Sequence, residues 1–279
     1  MSGAGTGRLD QRLVALGLAS GRDKAKELIL GGQVTVDGRV VKKPAAAVAE
    51  SAAIACAAPP ERYVGRGGYK LEKAIELAGW SLQGVTALDV GASTGGFTQC
   101  LLERGAARVF AVDVGHGQLH PALRADSRVV SLEGTDIRDR EALARFLPGR
   151  SVDFCTVDVS FISLRAVLPA VLPYLKEGAR LVCLIKPQFE AGRGALSKNG
   201  VVRDRADHRR VLRELCGDFA QWGLLQNGLT YSPLRGGEGN IEYLAWLTCR
   251  PGSLLPADEA AGLTADPDAV VAQAFANLP

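Results

Sequence analysis

The 279-residue chain has no apolar run approaching the ~18 to 20 residues that a membrane span requires, which excludes a helical membrane protein. Its opening residues, "MSGAGTGRLDQR", lack the apolar core of a secretory leader, so export is not expected. None of the six cysteines (Cys56, Cys100, Cys155, Cys183, Cys216, Cys249) falls in a C-x-x-C pair, and most sit in apolar runs. That argues against a zinc or disulfide framework and for reduced, buried thiols of a cytoplasmic protein. His116 and His120 stand four apart, but Gly117 and Pro121 spoil the helix that would align them, and no third ligand accompanies them. No metal site is expected. Bases are absent from residue 251 onward, where four acids stand alone.

What is present is uneven. Residues 1 to 50 hold eight Lys/Arg against five Asp/Glu, which is the whole net excess of +3. A basic head on a neutral body suits a polyanionic partner. "RLDQRLVALGLA" reads as a short amphipathic helix with Leu9, Leu13 and Leu16 on one side. Ser20 and Asp23 form a capping-box pair ahead of a second helix, "RDKAKELIL", which Gly31-Gly32 stops. "QVTVDGRVV" follows as a hairpin turning at Asp37-Gly38. Arg22, Lys24, Lys26, Arg39, Lys42 and Lys43 cluster on this second helix and hairpin. The plan resembles the S4-type RNA-binding domain, a small α+β module, over about residues 8 to 55.

Pro59-Pro60 close an Ala-rich stretch and mark a boundary. The expected organisation is a head over 1–60, a linker over 61–67, a larger domain over 68–250 and a tail with a helix over 251–279. In the larger domain, apolar strands ("VTALDVG", "RVFAVDVG", "VDFCTVDVS", "RLVCLIK", "YLAWLTCR") alternate with helix-length segments. That is the pattern of an α/β fold, a mostly parallel sheet with helices on both faces.

The loop in "LDVGASTGGFTQCLL" joins the first of these strands to a helix. Ligands of such sheets lie at the carboxyl ends of the strands, where glycines let the backbone come close. A P-loop would need a lysine after Gly96, and a dinucleotide fingerprint would need glycine where Ser93 stands. The acid followed by G-x-S-x-G-G resembles instead the first motif of S-adenosylmethionine (SAM) methyltransferases, with a Rossmann-like sheet. Candidate cofactor residues are therefore Asp89, Gly91, Ser93, Gly95, Gly96 and Phe97. Asp113 closes the next strand, about twenty residues on, where a carboxylate can accept both ribose hydroxyls. Asp136 could bind the adenine amino group or simply cap the helix that follows.

A charge at the end of a buried strand needs a partner or a use. Lys186 ends "RLVCLIK", Asp158 ends "FCTVDVS", Glu242 opens "EYLAWL", and Lys70 lies on a helix feeding the first strand. "DVSF" lacks the prolines of the [DN]-P-P-[YF] run that holds an exocyclic amine, which disfavours base-nitrogen methylation. Taken in order, "YVGRGGYKLEKAI", "LDVGASTGGFTQCLL", "VDVSFISL", "LIKPQFE", "GVVRD" and "GNIEYL" resemble the TlyA family over about residues 8 to 250. The resemblance implies an FtsJ-like ribose methyltransferase behind an S4-type domain, with SAM as cofactor and ribosomal RNA or a subunit as partner. It implies a catalytic tetrad of Lys70, Asp158, Lys186 and Glu242, and 2′-O-methylation of cytidine, the N-terminus being closer to the large-subunit-only type. Arg66 and Arg193 are further candidates to grip RNA, with Tyr69 to stack on a nucleotide, and "EAGRGALSKNGVVRD" is either a lid or a surface loop. The family also carries a haemolysin label; a membrane-active protein or a non-catalytic ribosome-assembly factor is the alternative.

Overall fold

In the computed structural model, residues 6–19, 21–57, 62–250 and 265–278 are described. The chain divides into two compact units, 1–65 and 66–279. The small unit runs β1 (Thr6–Arg8), α1 (Leu9–Ala15), α2 (Arg22–Leu30), β2 (Val34–Val36), β3 (Arg39–Val40), β4 (Ala47–Ala49) and β5 (Ile54–Cys56). Leu9, Leu13, Ala25, Leu28, Ile29, Val34 and Val48 form its core. Leu16 does not join them. The helix ends at Ala15, and Leu16, at its C-cap, is half exposed. Asp37 and Gly38 both take positive φ, +51° and +78°, as a two-residue turn between β2 and β3 requires. Ser20 of the expected capping pair lies outside the described residues, and Gly21 occupies the N-cap position of α2.

The larger unit is a seven-stranded sheet flanked by helices. Its strands are β6 (Thr86–Val90), β7 (Arg108–Asp113), β8 (Val129–Glu133), β9 (Val152–Val157), β10 (Leu175–Ile185), β11 (Leu224–Tyr231) and β12 (Tyr243–Cys249). The helices are α3 (Gly67–Ala78), α4 (Gly96–Glu103), α5 (Pro121–Arg124), α6 (Arg140–Ala144), α7 (Leu164–Val171), α8 (Pro187–Glu190), α9 (Arg205–Gln221) and α10 (Pro267–Asn277). The spatial order is β11-β12-β10-β9-β6-β7-β8. Neighbours from β10 through β8 pair in parallel, while β12 lies antiparallel to both β10 and β11. The central strands are buried on both faces, which is why they read as unbroken apolar runs. In the tail, Val270, Val271 and Ala274 of α10 join the core of this unit, with Phe275 and Leu278 packed at its margin. Among the described residues, no helix is long and apolar enough to cross a membrane.

Candidate active site

Five parallel strands deliver their carboxyl ends to one rim, and β12, running the other way, starts there. Ile185 pairs with Tyr243, so Lys186, one residue past the end of β10, and Glu242, one residue before β12, emerge beside each other. Val157 pairs with both Val90 and Cys183, so Asp158 follows at the same level as the glycine loop. Chain direction and register alone bring these groups to one edge.

The charged side chains form two ion pairs. Lys186 Nζ lies 2.7 Å from Asp158 Oδ1 and donates to Ser160 Oγ at 2.9 Å. Lys70, on the second turn of α3, donates to Glu242 Oε2. The side chains of Lys70 and Glu242 are only 10% and 3% exposed, so each charge depends on the other for its burial. Gly236 packs directly on the Glu242 carboxylate: a Cβ there would fall 2.0 Å from Oε1. Gly67 opens α3 over the Phe97 ring, where a Cβ would stand 3.1 Å from the ring and 3.8 Å from Asp158 Oδ2. That close approach brings the N-terminus of the Lys70 helix beside Asp158.

Next to Asp158 opens a cleft of about 510 Å³. Gly91, Ser93, Asp113, Asp136 and Asp158 line it, with Val90, Val112, Val114 and Ile137 as apolar wall. Gly91 has φ +83°, and a Cβ there would come within 2.3 Å of the Asp158 carbonyl oxygen; only glycine lets the two loops touch. Asp113 accepts the backbone N–H of Ser93 (2.8 Å) and of Gly115 (2.7 Å), one on each carboxylate oxygen. Each oxygen retains capacity for a second donor, as a ribose diol would need. Asp136 is grasped on both oxygens by Arg138, which holds its carboxyl below the usual range. The size of the cleft, its acid at the end of β7 and its apolar wall fit an adenosine-bearing cofactor such as SAM.

Other expected cofactor residues lie elsewhere. Asp89 is fully buried beneath the loop, taking hydroxyl hydrogen bonds from Thr98 (2.6 Å) and Thr156 (2.9 Å). Burial pushes its carboxyl up to about 6, against the opposing pull of the two hydroxyls. Gly95 (φ +99°) and Gly96 turn the chain into α4, and Phe97 is buried. These residues shape the loop rather than the wall of the cleft. In the small unit, Arg22, Arg39 and Lys42 are exposed, while Lys24 and Lys26 are half-buried. Arg22 stands 3.5 Å from the buried Asp10, whose carboxyl the Arg8 guanidinium holds down at about 2. Arg66 precedes α3 and Arg193 sits in a 3-10 turn, both exposed.

Two contributors carried no signal in the sequence. Ser160 gives the Lys186 ammonium a hydrogen-bond acceptor beside its ion pair with Asp158. Glu190, nearly buried at the end of α8, takes hydrogen bonds from Ser163 Oγ (2.6 Å) and Leu164 N (2.8 Å), tying the Asp158 loop to the segment after Lys186. The recurrence of polar residues in "VDVSFIS" and "KPQFE" marks the loops but not the contact between them.

The FtsJ-like methyltransferase family model matches residues 63–249, and the S4 domain model matches residues 7–54. The 16S/23S rRNA (cytidine-2′-O)-methyltransferase TlyA of Mycobacterium tuberculosis is 43% identical over 251 residues, covering 90% of this chain and 92% of the relative. Hemolysin A of Brachyspira hyodysenteriae is 41% identical over 240 residues, 85% of this chain and 98% of the relative. A solved structure from Streptococcus thermophilus that carries a hemolysin label superposes with a TM-score of 0.75 at 38% identity, covering 98% of this chain and 96% of that one.

Proposed function

We propose, from the premise that this chain belongs to the FtsJ-like methyltransferase family, in its TlyA branch with an S4 domain in front, that it methylates the 2′-hydroxyl of a cytidine in ribosomal RNA. SAM is the donor, the large-subunit RNA is the target, and the cytoplasm is the place of action. The observation that carries this reading is Lys186 held 2.7 Å from Asp158, a residue that itself lines the cleft.

When bound, SAM supplies a methyl group on a positively charged sulfur that leaves as a neutral thioether. Asp113 would hold its ribose, the Val112, Val114 and Ile137 side chains its adenine, and the Gly91–Ser93 backbone its amino-acid end. Lys186, whose ammonium must first release a proton, accepts the one that the RNA hydroxyl loses as its oxygen attacks. Asp158 and Ser160 fix the direction of the amine. Lys70 steadies the developing alkoxide or the adjacent phosphate, and Glu242 holds Lys70 in place. A large part of the acceleration comes from holding hydroxyl and methyl in line. The basic residues of the S4 domain, Arg22, Lys24, Lys26, Arg39 and Lys42, and the exposed Arg66 and Arg193 bind the RNA backbone electrostatically.

The test is to map ribose methylation on both ribosomal RNAs in cells with the native protein, without it, and with Lys186→Ala. One large-subunit cytidine that loses its mark in the last two is expected. Marks unchanged in all three would refute the activity, and a mark on the small-subunit RNA as well would overturn the choice of target. The Mycobacterium relative, whose name includes both RNAs, makes that second comparison necessary.

A further inference from the structure

Two runs of the sequence, "NGVVRD" and "NIEY", meet in the structure although neither carries the reacting charges of Lys186 and Asp158. Beyond Lys186 and α8, residues 196–202 form a small hairpin: Leu196 bridges Val202, Ser197 N donates to Val201 O and Gly200 N to Ser197 O, both at 2.9 Å. Asn240, 3% exposed, grips its outgoing strand twice. Its Oδ1 accepts from Val202 N at 3.3 Å, and its Nδ2 donates to Gly200 O at 3.2 Å.

His208, fully buried on α9, closes the same joint from below. Its Nε2 lies 3.0 Å from Val202 O and its Nδ1 2.9 Å from the Tyr243 hydroxyl. A carbonyl oxygen only accepts, so Nε2 carries the proton and Nδ1 accepts from the phenol. Burial holds the ring below its ordinary pKa, in keeping with that neutral tautomer. Phe275 of α10 packs edge-on against the ring, with centroids 5.0 Å apart. Polar groups this deeply buried are costly unless fully partnered, and these join the hairpin to the residues on either side of Glu242.

Resting on the catalytic reading of Glu242 above, we propose that Asn240 and His208 are positioning residues that lock the 196–202 hairpin to the start of β12. The lock fixes where the Glu242 carboxylate, and through it the Lys70 ammonium, stands relative to Lys186. The hairpin is then a strut of the active site.

Asn240→Ala, His208→Leu and His208→Gln in the full chain test this. Gln can still donate to Val202 and accept from Tyr243. Single-turnover methyl transfer to ribosomal RNA should slow about tenfold in Asn240→Ala and His208→Leu, with SAM affinity within about twofold, while His208→Gln stays within about threefold of wild type. Hydrogen exchange should quicken across both 196–203 and 240–243 in the first two variants. Should His208→Leu fail to fold, Asn240→Ala decides. Unchanged transfer by folded Asn240→Ala, or unchanged exchange at 240–243, overturns the lock. If the wild-type protein itself transfers no methyl group to ribose, the proposed activity falls, and the exchange measurement judges the lock alone.

Discussion

Removing one partner of the Lys70–Glu242 pair separates its structural role from its chemical one. Both side chains are nearly excluded from water, at 10% and 3% exposure, and Gly236 seals the carboxylate from the other side. Lys70→Met leaves a carboxylate buried without its counter-ion, and Glu242→Leu leaves an ammonium in the same state. Breaking a buried pair in this way costs about 3 to 5 kcal/mol, whereas exchanging both partners for apolar side chains of similar volume is often neutral or stabilising. Each kcal/mol moves the melting temperature of a domain of this size by about 2 to 4 °C, so either single variant should melt about 10 °C early. The double variant Lys70→Met/Glu242→Leu should recover most of that loss. Methyl transfer must not recover with it, because the double variant lacks the Lys70 cation just as Lys70→Met does. Thermal melts of the four proteins together with single-turnover assays on ribosomal RNA read the two effects apart. A double variant that regains transfer as it regains stability would reduce the pair to scaffolding. Single variants that melt as the wild type would mean that the pair is not buried as described.

Gly91→Ala puts a methyl group where the Asp158 carbonyl already stands and at a φ of +83°, so SAM affinity should fall by at least tenfold in a titration, and wild-type affinity would contradict the close approach. Asp89 has a folded pKa of about 6 against 3.8 for an ordinary Asp. A raised carboxyl favours the protonated form in the fold, so its contribution is fully present below pH ~4 and is lost as pH rises through 6. The roughly two-unit shift makes the ionised group cost about 3 kcal/mol at pH 7.5. Asp89→Asn should therefore be at least as stable as wild type at pH 7.5 in urea unfolding, with a flatter dependence between pH 4 and 7. A variant as steeply pH-dependent as wild type would place that dependence in other groups. Ser160→Ala removes the hydroxyl acceptor of Lys186 and should slow single-turnover transfer about fivefold without changing SAM affinity. An unchanged rate would remove Ser160 from the site.

Direction, not composition, decided which parts of the sheet could be read from the sequence. Strands buried on both faces announce themselves as apolar runs, and β6, β7, β9, β10 and β12 stand where "VTALDVG", "RVFAVDVG", "VDFCTVDVS", "RLVCLIK" and "YLAWLTCR" suggest. β11 has no such run. Gln226, Asn227 and Gly228 interrupt it, the register shifts there, and Gly228 is needed because the Trp246 ring lies where a Cβ would go. Lys186 and Asp158 were conspicuous as charges at strand ends. The partnership of Lys70 with Glu242 was not, because it follows from the reversal of β12, which no local pattern encodes. Were β12 parallel to β10, its first residue would lie at the opposite edge of the sheet, a full strand away from Lys186. Turning it round brings Glu242 to the cleft, and the same turn brings Asn240 and Tyr243 against the hairpin and His208. One reversed strand thus gathers the residues whose proximity the linear sequence conceals, and a one-residue slip of Tyr243 against Ile185 would point Glu242 to the other face.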